Sequence, residues 1–124
     1  MKETQISRAI MDYLAARRVF AVRMNSGMRI GEHNGKKWAI HMNAPGTADI
    51  LAFPEWERGV DDHGNWCSYA KIVPLWIEVK TEKGKQSDLQ KSFQAQVEKQ
   101  NHDYIIARGI DDVERALQGA GGRA

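Results

Sequence analysis

The stretch LWIEVK, residues 75–80, decides the fold, because it is a short apolar run with an acid and a base near its end. Successive side chains on a β-strand point to opposite faces, so we expect Glu78 and Lys80 to share one face. Ile77 and Val79 then share the other face. Of the 16 acidic residues, only Glu78 is followed two positions later by lysine or arginine, which separates this pair from an ordinary charged surface.

A second apolar strand is predicted over Asp49–Phe53; it begins with an acid and is stopped by Pro54. Proline cannot donate to the hydrogen bonds of a sheet, so Pro74 likewise sets the start of the 75–80 strand. If the two strands are neighbours, Asp49 lies beside Glu78. The sequence therefore predicts two carboxylates and one ammonium group in a single pocket.

Helices are predicted where apolar residues recur at helical spacing. They cover Glu3 to about Arg18, the stretch from the N-cap Ser87 to about Gln100, and Ile110–Leu117, with Gly119–Ala124 left as a tail. Ser87 and Gln90 have the spacing of a capping box. The buried face of the second helix is expected to contain Leu89, Phe93 and Val97.

Further strands are predicted from β-branched and aromatic runs between turn signals. They cover Val19–Met24, a β-hairpin over Met28–Met42 and a buried strand over Tyr104–Arg108. The hairpin turn is placed at His33–Gly35, because Asn-Gly favours a tight turn with positive φ. A second hairpin tip is predicted at Asp62–Asn65. The order of elements predicts one α/β domain over residues 1–124, with a central mixed sheet flanked by helices.

Composition narrows the classes of protein that fit. The chain has 124 residues, 42% hydrophobic and 27% charged, which suits one globular domain rather than a disordered chain. The net charge of +2 does not by itself imply a nucleic-acid partner. Cys67 is the single cysteine, which excludes a disulfide within the chain and favours a reducing cytoplasm. The sequence predicts no membrane span and no signal peptide.

Two carboxylates with a nearby lysine suit metal-assisted hydrolysis of a phosphodiester. Carboxylates can hold Mg²⁺ while it keeps several waters and contacts phosphate oxygens. A bound metal lowers the pKa of water and neutralises charge on the phosphate, and Lys80 can position the water or stabilise that charge. The simpler alternative is that Glu78 and Lys80 form an edge-strand ion pair and that Asp49 is a turn residue. The spacing alone leaves both interpretations open.

Five pieces of sequence also occur in a recognisable order. They are Glu3 in the first helix, Arg23-Met24-Asn25-Ser26-Gly27, Gly46-Thr47-Ala48-Asp49, Glu78-Val79-Lys80 and Ser87-Asp88-Leu89-Gln90. This set resembles the PD-(D/E)XK nuclease superfamily and, within it, the small stand-alone VRR-NUC domains, many of them phage-encoded. The resemblance runs from Glu3 to about Leu117. It implies a restriction-endonuclease-like core and a single VRR-NUC-like nuclease domain.

The resemblance implies a metal centre at the two strands. Asp49 and Glu78 would ligate Mg²⁺ or Mn²⁺, with the backbone carbonyl of Val79 as a further ligand. Lys80 would orient or activate the nucleophilic water.

Two more residues have an implied catalytic role and a simpler alternative. Gln90 would orient Lys80 or the phosphate, but it can also be only the capping partner of Ser87. Glu3 would reach the site through water or a second metal, but it can also be only a first-turn acid that the helix dipole favours.

The residues implied to contact DNA are Arg23, Asn25, Gly27, Gly46, Lys83, Lys85 and Lys91. Asn25 and Gly27 can be only a turn, and Gly46 can allow close approach to a phosphate or only permit a loop. Arg29, Lys36 and Lys37 on the hairpin are further cations able to contact phosphates. The four tryptophans can stack on bases, although packing in the core or an interface is the simpler interpretation.

Together these expectations describe a metal-dependent, structure-selective DNA endonuclease that leaves a 5′-phosphate. The likeness to stand-alone phage members implies a branched substrate such as a Holliday junction. Because a junction has two symmetric scissile phosphates, a homodimer would match it, and the aromatic insert between Phe53 and Trp76 is the candidate interface. The alternatives are a flap or nicking endonuclease, a non-catalytic DNA-binding module and an RNA nuclease. The expected location is the cytoplasm, that of a bacterial host if the protein is phage-encoded.

Overall fold

The structure, a computed structural model, describes residues 1–24, 28–41, 44–55, 63 and 73–120. These residues form three helices and six strands. In chain order they are α1 (Glu3–Ala16), β1 (Phe20–Arg23), β2 (Met28–His33), β3 (Lys36–His41), β4 (Ile50–Phe53), β5 (Leu75–Val79), α2 (Asp88–Lys99), β6 (Asp103–Ala107) and α3 (Ile110–Ala120). The predicted mixed α/β class is confirmed.

The main sheet has four strands in the order β1-β4-β5-β6. The β1–β4 and β4–β5 pairs are antiparallel and the β5–β6 pair is parallel, so the sheet is mixed, as predicted. Because β5 has a neighbour on each side, Glu78 lies on an interior strand. The alternative that placed Glu78 and Lys80 on an edge strand is therefore wrong about the strand, although the two side chains do lie within ion-pair distance.

Helices cover both faces of this sheet. α1 and α3 pack on one face around a core of Ile6, Ile10, Leu14, Ile50, Ala52, Leu75, Ile77, Val79, Ala107, Val113 and Leu117. α2 connects the parallel strands β5 and β6 and covers the other face, where the Phe93 ring meets Trp76 edge-on at 5.0 Å. The predicted alternation along β5 is confirmed, since Ile77 and Val79 enter the core and Glu78 faces α2.

The first helix ends at Ala16 rather than at the predicted Arg18. Arg18 adopts a φ of +58°, and the Val19 amide donates to the Leu14 carbonyl at 2.9 Å. A left-handed residue that closes the last turn is a common helix end. It turns the chain back toward the sheet, where β1 begins.

The strands β2 and β3 form a separate two-stranded sheet. Asn34 and Gly35 have φ values of +51° and +78° at the tip. Positive φ at both central residues matches a type I′ hairpin turn, so the turn predicted from Asn-Gly is confirmed. The second predicted hairpin tip, at Asp62–Asn65, lies outside the described residues except for His63, which is in a turn.

The buried face of α2 is rotated relative to the prediction. Leu89 is 59% exposed, so its assignment to the core is wrong, whereas Val97 is buried as expected. The inward positions are Gln90, Phe93, Gln94 and Val97, which recur at helical spacing. The prediction failed because it followed apolar residues only, and the first turn of α2 turns an amide toward the sheet.

The last helix is longer than predicted. α3 continues to Ala120, through Gly119, which the sequence placed in a tail. The remaining residues of that predicted tail, 121–124, lie outside the described part of the chain.

Candidate active site

The pairing of β4 with β5 brings the two predicted carboxylates together. Ile50 lies opposite Ile77, so Asp49 and Glu78 follow at the same end of the strand pair. Asp49 Oδ2 accepts a hydrogen bond from the Val79 amide at 2.7 Å, and the Asp49 carbonyl accepts one from the Met24 amide at 2.7 Å. Asp49 is thus fixed against both neighbouring strands.

Glu78 is a buried acid with an uneven set of partners. It is 2% exposed, and its Oε1 accepts from Gln90 Nε2 at 2.8 Å and lies 3.8 Å from Lys80 Nζ. Its Oε2 is buried with no hydrogen-bond partner among the described residues. Since nearly all buried polar atoms in proteins are satisfied, this oxygen needs a partner that the described residues do not supply, either a proton or a bound ligand.

The environment of Glu78 disfavours its charged form. The pKa of Glu78 is raised from 4.5 to about 8, chiefly by burial and next by the nearby charge of Asp49. The Lys80 ammonium group opposes this rise, and the closeness of the Asp49 carboxyl and the charge of Glu3 make smaller contributions to it. Glu78 therefore holds a proton at neutral pH unless a positive charge replaces it.

Gln90 forms the predicted capping box, and it also reaches the site, where it donates to Glu78 rather than to Lys80. Its Oε1 accepts from the Ser87 amide at 2.8 Å, and the Ser87 hydroxyl accepts from the Gln90 amide at 3.2 Å. Its Nε2 donates to Glu78 Oε1. Because the amide oxygen is used in the cap, the amino group must face the acid. The capping box therefore orients the donor that holds Glu78.

Glu3 lies at a pocket beside Asp49. The pocket has a volume of about 130 Å³ and is lined by Glu3, Thr4, Ser7, Arg23, Met24, Asp49 and Val79. The pocket lies between the first turns of α1 and the ends of β1 and β5. Glu3 and Arg23 thus share a cavity with Asp49, whereas Asn25 and Gly27 lie outside the described residues.

Gly46 allows close packing of backbone against backbone. Its φ is +89°, and an added Cβ would overlap the Leu89 carbonyl and lie 3.1 Å from the Gln90 amide nitrogen. The partner in this close approach is the first turn of α2. The loop before Asp49 and the helix that carries Gln90 are therefore fixed to each other at a position where only glycine fits.

The lysines predicted to contact DNA lie on the surface. Lys83, Lys85 and Lys91 are all exposed. The loop that carries the first two follows Lys80, whose side chain is only 12% exposed. The structure thus separates one half-buried lysine beside Glu78 from three that face solvent.

Sequence reasoning missed the residue that fixes this loop. The Arg108 guanidinium donates to the carbonyls of Thr81 at 2.6 Å, Glu82 at 3.1 Å and Gly84 at 2.8 Å. Arg108 was predicted only as the last residue of a strand. No spacing in the sequence connects it to residues 81–84, because the contact depends on the parallel pairing of β5 with β6.

A second missed group lies between α2 and β6. Gln86 Nε2 donates to Gln94 Oε1 at 2.9 Å and to the Tyr104 hydroxyl at 3.0 Å. Burial raises the pKa of Tyr104 to about 12, so its hydroxyl is neutral across the physiological range. These hydrogen bonds connect Gln86, at the end of the lysine-rich loop, to α2, the helix whose Gln90 donates to Glu78.

The candidate ligand set consists of oxygen atoms. Across the described ranges, no group of three or more histidine, cysteine, aspartate or glutamate side chains is arranged to hold a metal ion. The candidate ligands are the carboxylates of Asp49 and Glu78 and the Val79 carbonyl. Hard divalent cations prefer such oxygen donors and complete their coordination shell with water. The unpartnered Glu78 Oε2 fits such a cation, because a positive charge would satisfy it.

Comparison of the chain with protein-family models, curated proteins and solved structures found no match. None of the described helices has the length and apolar character needed to cross a bilayer.

Proposed function

We propose that the protein is a metal-dependent DNA endonuclease of the PD-(D/E)XK type, with a restriction-endonuclease-like core similar to a VRR-NUC domain. One observation carries the proposal: Asp49 at the start of β4 meets Glu78 and Lys80 at the end of β5, and Glu78 keeps a buried oxygen without a partner. The Lys80 ammonium group lies near Oε1 and leaves Oε2 without a partner, and a bound cation would satisfy it.

Asp49, Glu78 and the Val79 carbonyl are the residues that would hold Mg²⁺ or Mn²⁺. Such an ion, when bound, lowers the pKa of the attacking water and neutralises charge on the phosphate. Gln90 occupies Glu78 Oε1 and leaves Oε2 for the ion. The Asp49–Val79 hydrogen bond fixes the angle between the two acids.

Lys80 is the group placed to act on the reacting atoms. Its Nζ is 3.8 Å from Glu78 Oε1, and its side chain is mostly withdrawn from solvent. An ammonium group in this position donates a hydrogen bond to the attacking water or to a phosphate oxygen. It stabilises negative charge more strongly here than it would in water, because the surroundings are poorly hydrated.

The substrate proposed for this site is branched DNA, such as a Holliday junction, cut by a homodimer. Light scattering at micromolar concentration tests the dimer, and a monomer would contradict it. Labelled four-way junction, flap, nicked duplex, linear duplex and RNA, each incubated with Mg²⁺ or Mn²⁺, test the substrate. We expect junction cleavage to exceed cleavage of the other substrates, while preference for a flap or nick would reassign the specificity.

Three variants separate catalysis from contamination and misfolding. Asp49→Asn, Glu78→Gln and Lys80→Gln keep side-chain size, and each is expected to lower the cleavage rate by roughly a hundredfold or more. Glu82→Gln is the matched control, because Glu82 is an exposed acid in the adjoining loop. Cleavage that persists in all three site variants would reject the proposal.

A further inference from the structure

The β2–β3 hairpin has two chemically different faces. The register places Gly31 opposite Trp38 and His33 opposite Lys36, and these pairs share one face by strand alternation. Glu32 lies opposite Lys37 on the other face. We call the first set, Gly31, His33, Lys36 and Trp38, the tryptophan face.

Trp38 lies directly over Gly31. A Cβ added at Gly31 would overlap the indole and lie 2.8 Å from Cη2, so only glycine allows this packing. An aromatic side chain over a strand glycine is a known stabilising arrangement. That arrangement does not explain why Trp38 remains 41% exposed. The backbone at Gly31 supports the indole while part of it stays open to solvent.

Charge also differs between the two faces. On the tryptophan face, the described side chains include Lys36 and His33, both exposed, and no acid. On the opposite face, Glu32 offsets Lys37 across the strands. A supported aromatic ring beside an unopposed cation complements a nucleotide, which offers a base to stack on and a phosphate to pair with.

The chain path joins the hairpin to the active-site pocket. β2 follows Arg23 and Met24, which line that pocket, and β3 leads back to Asp49 through the loop that contains Gly46. Among the residues that the structure describes, the main contacts of the hairpin are between its own two strands. It is therefore an arm attached at the pocket.

We propose that the tryptophan face binds an unpaired nucleotide of the DNA substrate, with the base stacked on Trp38 and the adjacent phosphate contacted by Lys36. Branched DNA offers unpaired bases where its strands separate, as in a flap or an opened junction, and such bases are not already stacked inside a duplex. The proposal rests on the proposed nuclease function and adds a binding surface to it. It assigns a phosphate contact to Lys36 and none to the adjacent Lys37, two residues that the sequence alone does not distinguish.

Fluorescence anisotropy tests this with a labelled four-way junction that carries unpaired thymines at its branch point, and with a fully paired duplex of the same length. The binding protein is the Asp49→Asn variant in Mg²⁺, so cleavage does not interfere. Lys36→Ala and Lys37→Ala form the matched pair, because they remove the same charge from opposite faces. Thermal melts confirm that each variant is folded.

Lys36→Ala is expected to weaken junction binding by roughly threefold to tenfold and to lower the salt dependence by about one phosphate contact, while Lys37→Ala changes affinity less than about twofold. Trp38→Ala should weaken binding by roughly tenfold, and Trp38→Phe should retain most of it, since each stacked base contributes about 1–3 kcal/mol. The fully paired duplex should bind all variants alike.

Equal effects of the two lysine variants, or unchanged junction affinity in a folded Trp38→Ala protein, would overturn the proposal. Binding that depends on Trp38 in a protein that never cleaves would leave the arm intact and reject only the nuclease function. Cleavage that needs Asp49 but not Trp38 would support the nuclease function and reject the role of the tryptophan face.

Discussion

Glu78 shows how strand alternation can fix a site residue by residue. The sequence predicted that Glu78 and Lys80 share a face, and Lys80 Nζ lies 3.8 Å from Glu78 Oε1, with Glu78 in the interior strand β5 and Lys80 directly after it. It also predicted that Asp49 lies beside them if the two strands are neighbours. The antiparallel pairing that aligns the start of β4 with the end of β5 is a finding of the structure. The unpartnered oxygen of Glu78 was not predictable, since it depends on which atoms Gln90 uses in its capping box.

The metal-free protein should lose stability as pH rises, because Glu78 binds its proton more tightly when folded. With a pKa of about 8 in the folded protein and an ordinary value of 4.5 unfolded, the stabilisation is fully present below pH 4.5. It is lost as pH rises through 8, by an amount on the order of a few kcal/mol. Urea unfolding from pH 5 to 9 in EDTA measures it.

Glu78→Gln is the control for that prediction. It keeps the size of the side chain and removes the titrating group, so this part of the pH dependence should disappear. A wild-type protein that is equally stable across the range would show that the folded pKa of Glu78 is not raised.

At the scale of elements, the sequence did not predict the contacts between segments that are distant in the chain. The helices and strands follow from spacing, capping and turn signals, and the Asn-Gly turn was predicted at its observed place. Leu89 was wrongly placed in the core. An apolar residue in the first turn of a helix does not by itself indicate which side of that turn faces the sheet. Arg108 and Gly46 act on segments that the fold, not the spacing, brings near.

Gly46→Ala should destabilise the protein more than an ordinary substitution at a positive φ. The new methyl group adds a backbone clash with the first turn of α2 to the cost of the left-handed conformation, for a total of roughly 3 kcal/mol. Gly35→Ala is the matched control, because Gly35 has a φ of +78° and nothing within 4 Å of an added Cβ. It should cost about 1 kcal/mol. Denaturant unfolding of both variants measures the difference, and equal losses would show that α2 does not contact the loop.

Arg108→Gln should release the loop that carries Lys83 and Lys85. The variant loses the guanidinium that spans three carbonyls, so trypsin should cut at these lysines roughly threefold to tenfold faster. Arg115→Gln is the control, because Arg115 is an exposed arginine whose ion pair is with Asp112 of α3. Identical digestion rates in the two variants would mean that the loop is held by other contacts.

At the scale of the whole molecule, the sequence predicted the architecture but not every connection. A mixed sheet between helices follows from the order of elements, and the described residues show it with β5 at its interior. The aromatic insert proposed as a dimer interface falls mainly in 56–72, where His63 alone is described. The hairpin between the pocket residues and Asp49 was predicted as an element, but its two faces emerge only from the register.

Calorimetric titration of the protein with Mn²⁺ at pH 8 tests most directly whether this molecule is built around a cation. The wild-type protein and Glu82→Gln should each bind at a site that Asp49→Asn and Glu78→Gln lack. Affinity should rise with pH as Glu78 releases its proton to make room for the ion. Failure of the wild-type protein to bind Mn²⁺, or binding of equal strength in Glu78→Gln, would contradict the account.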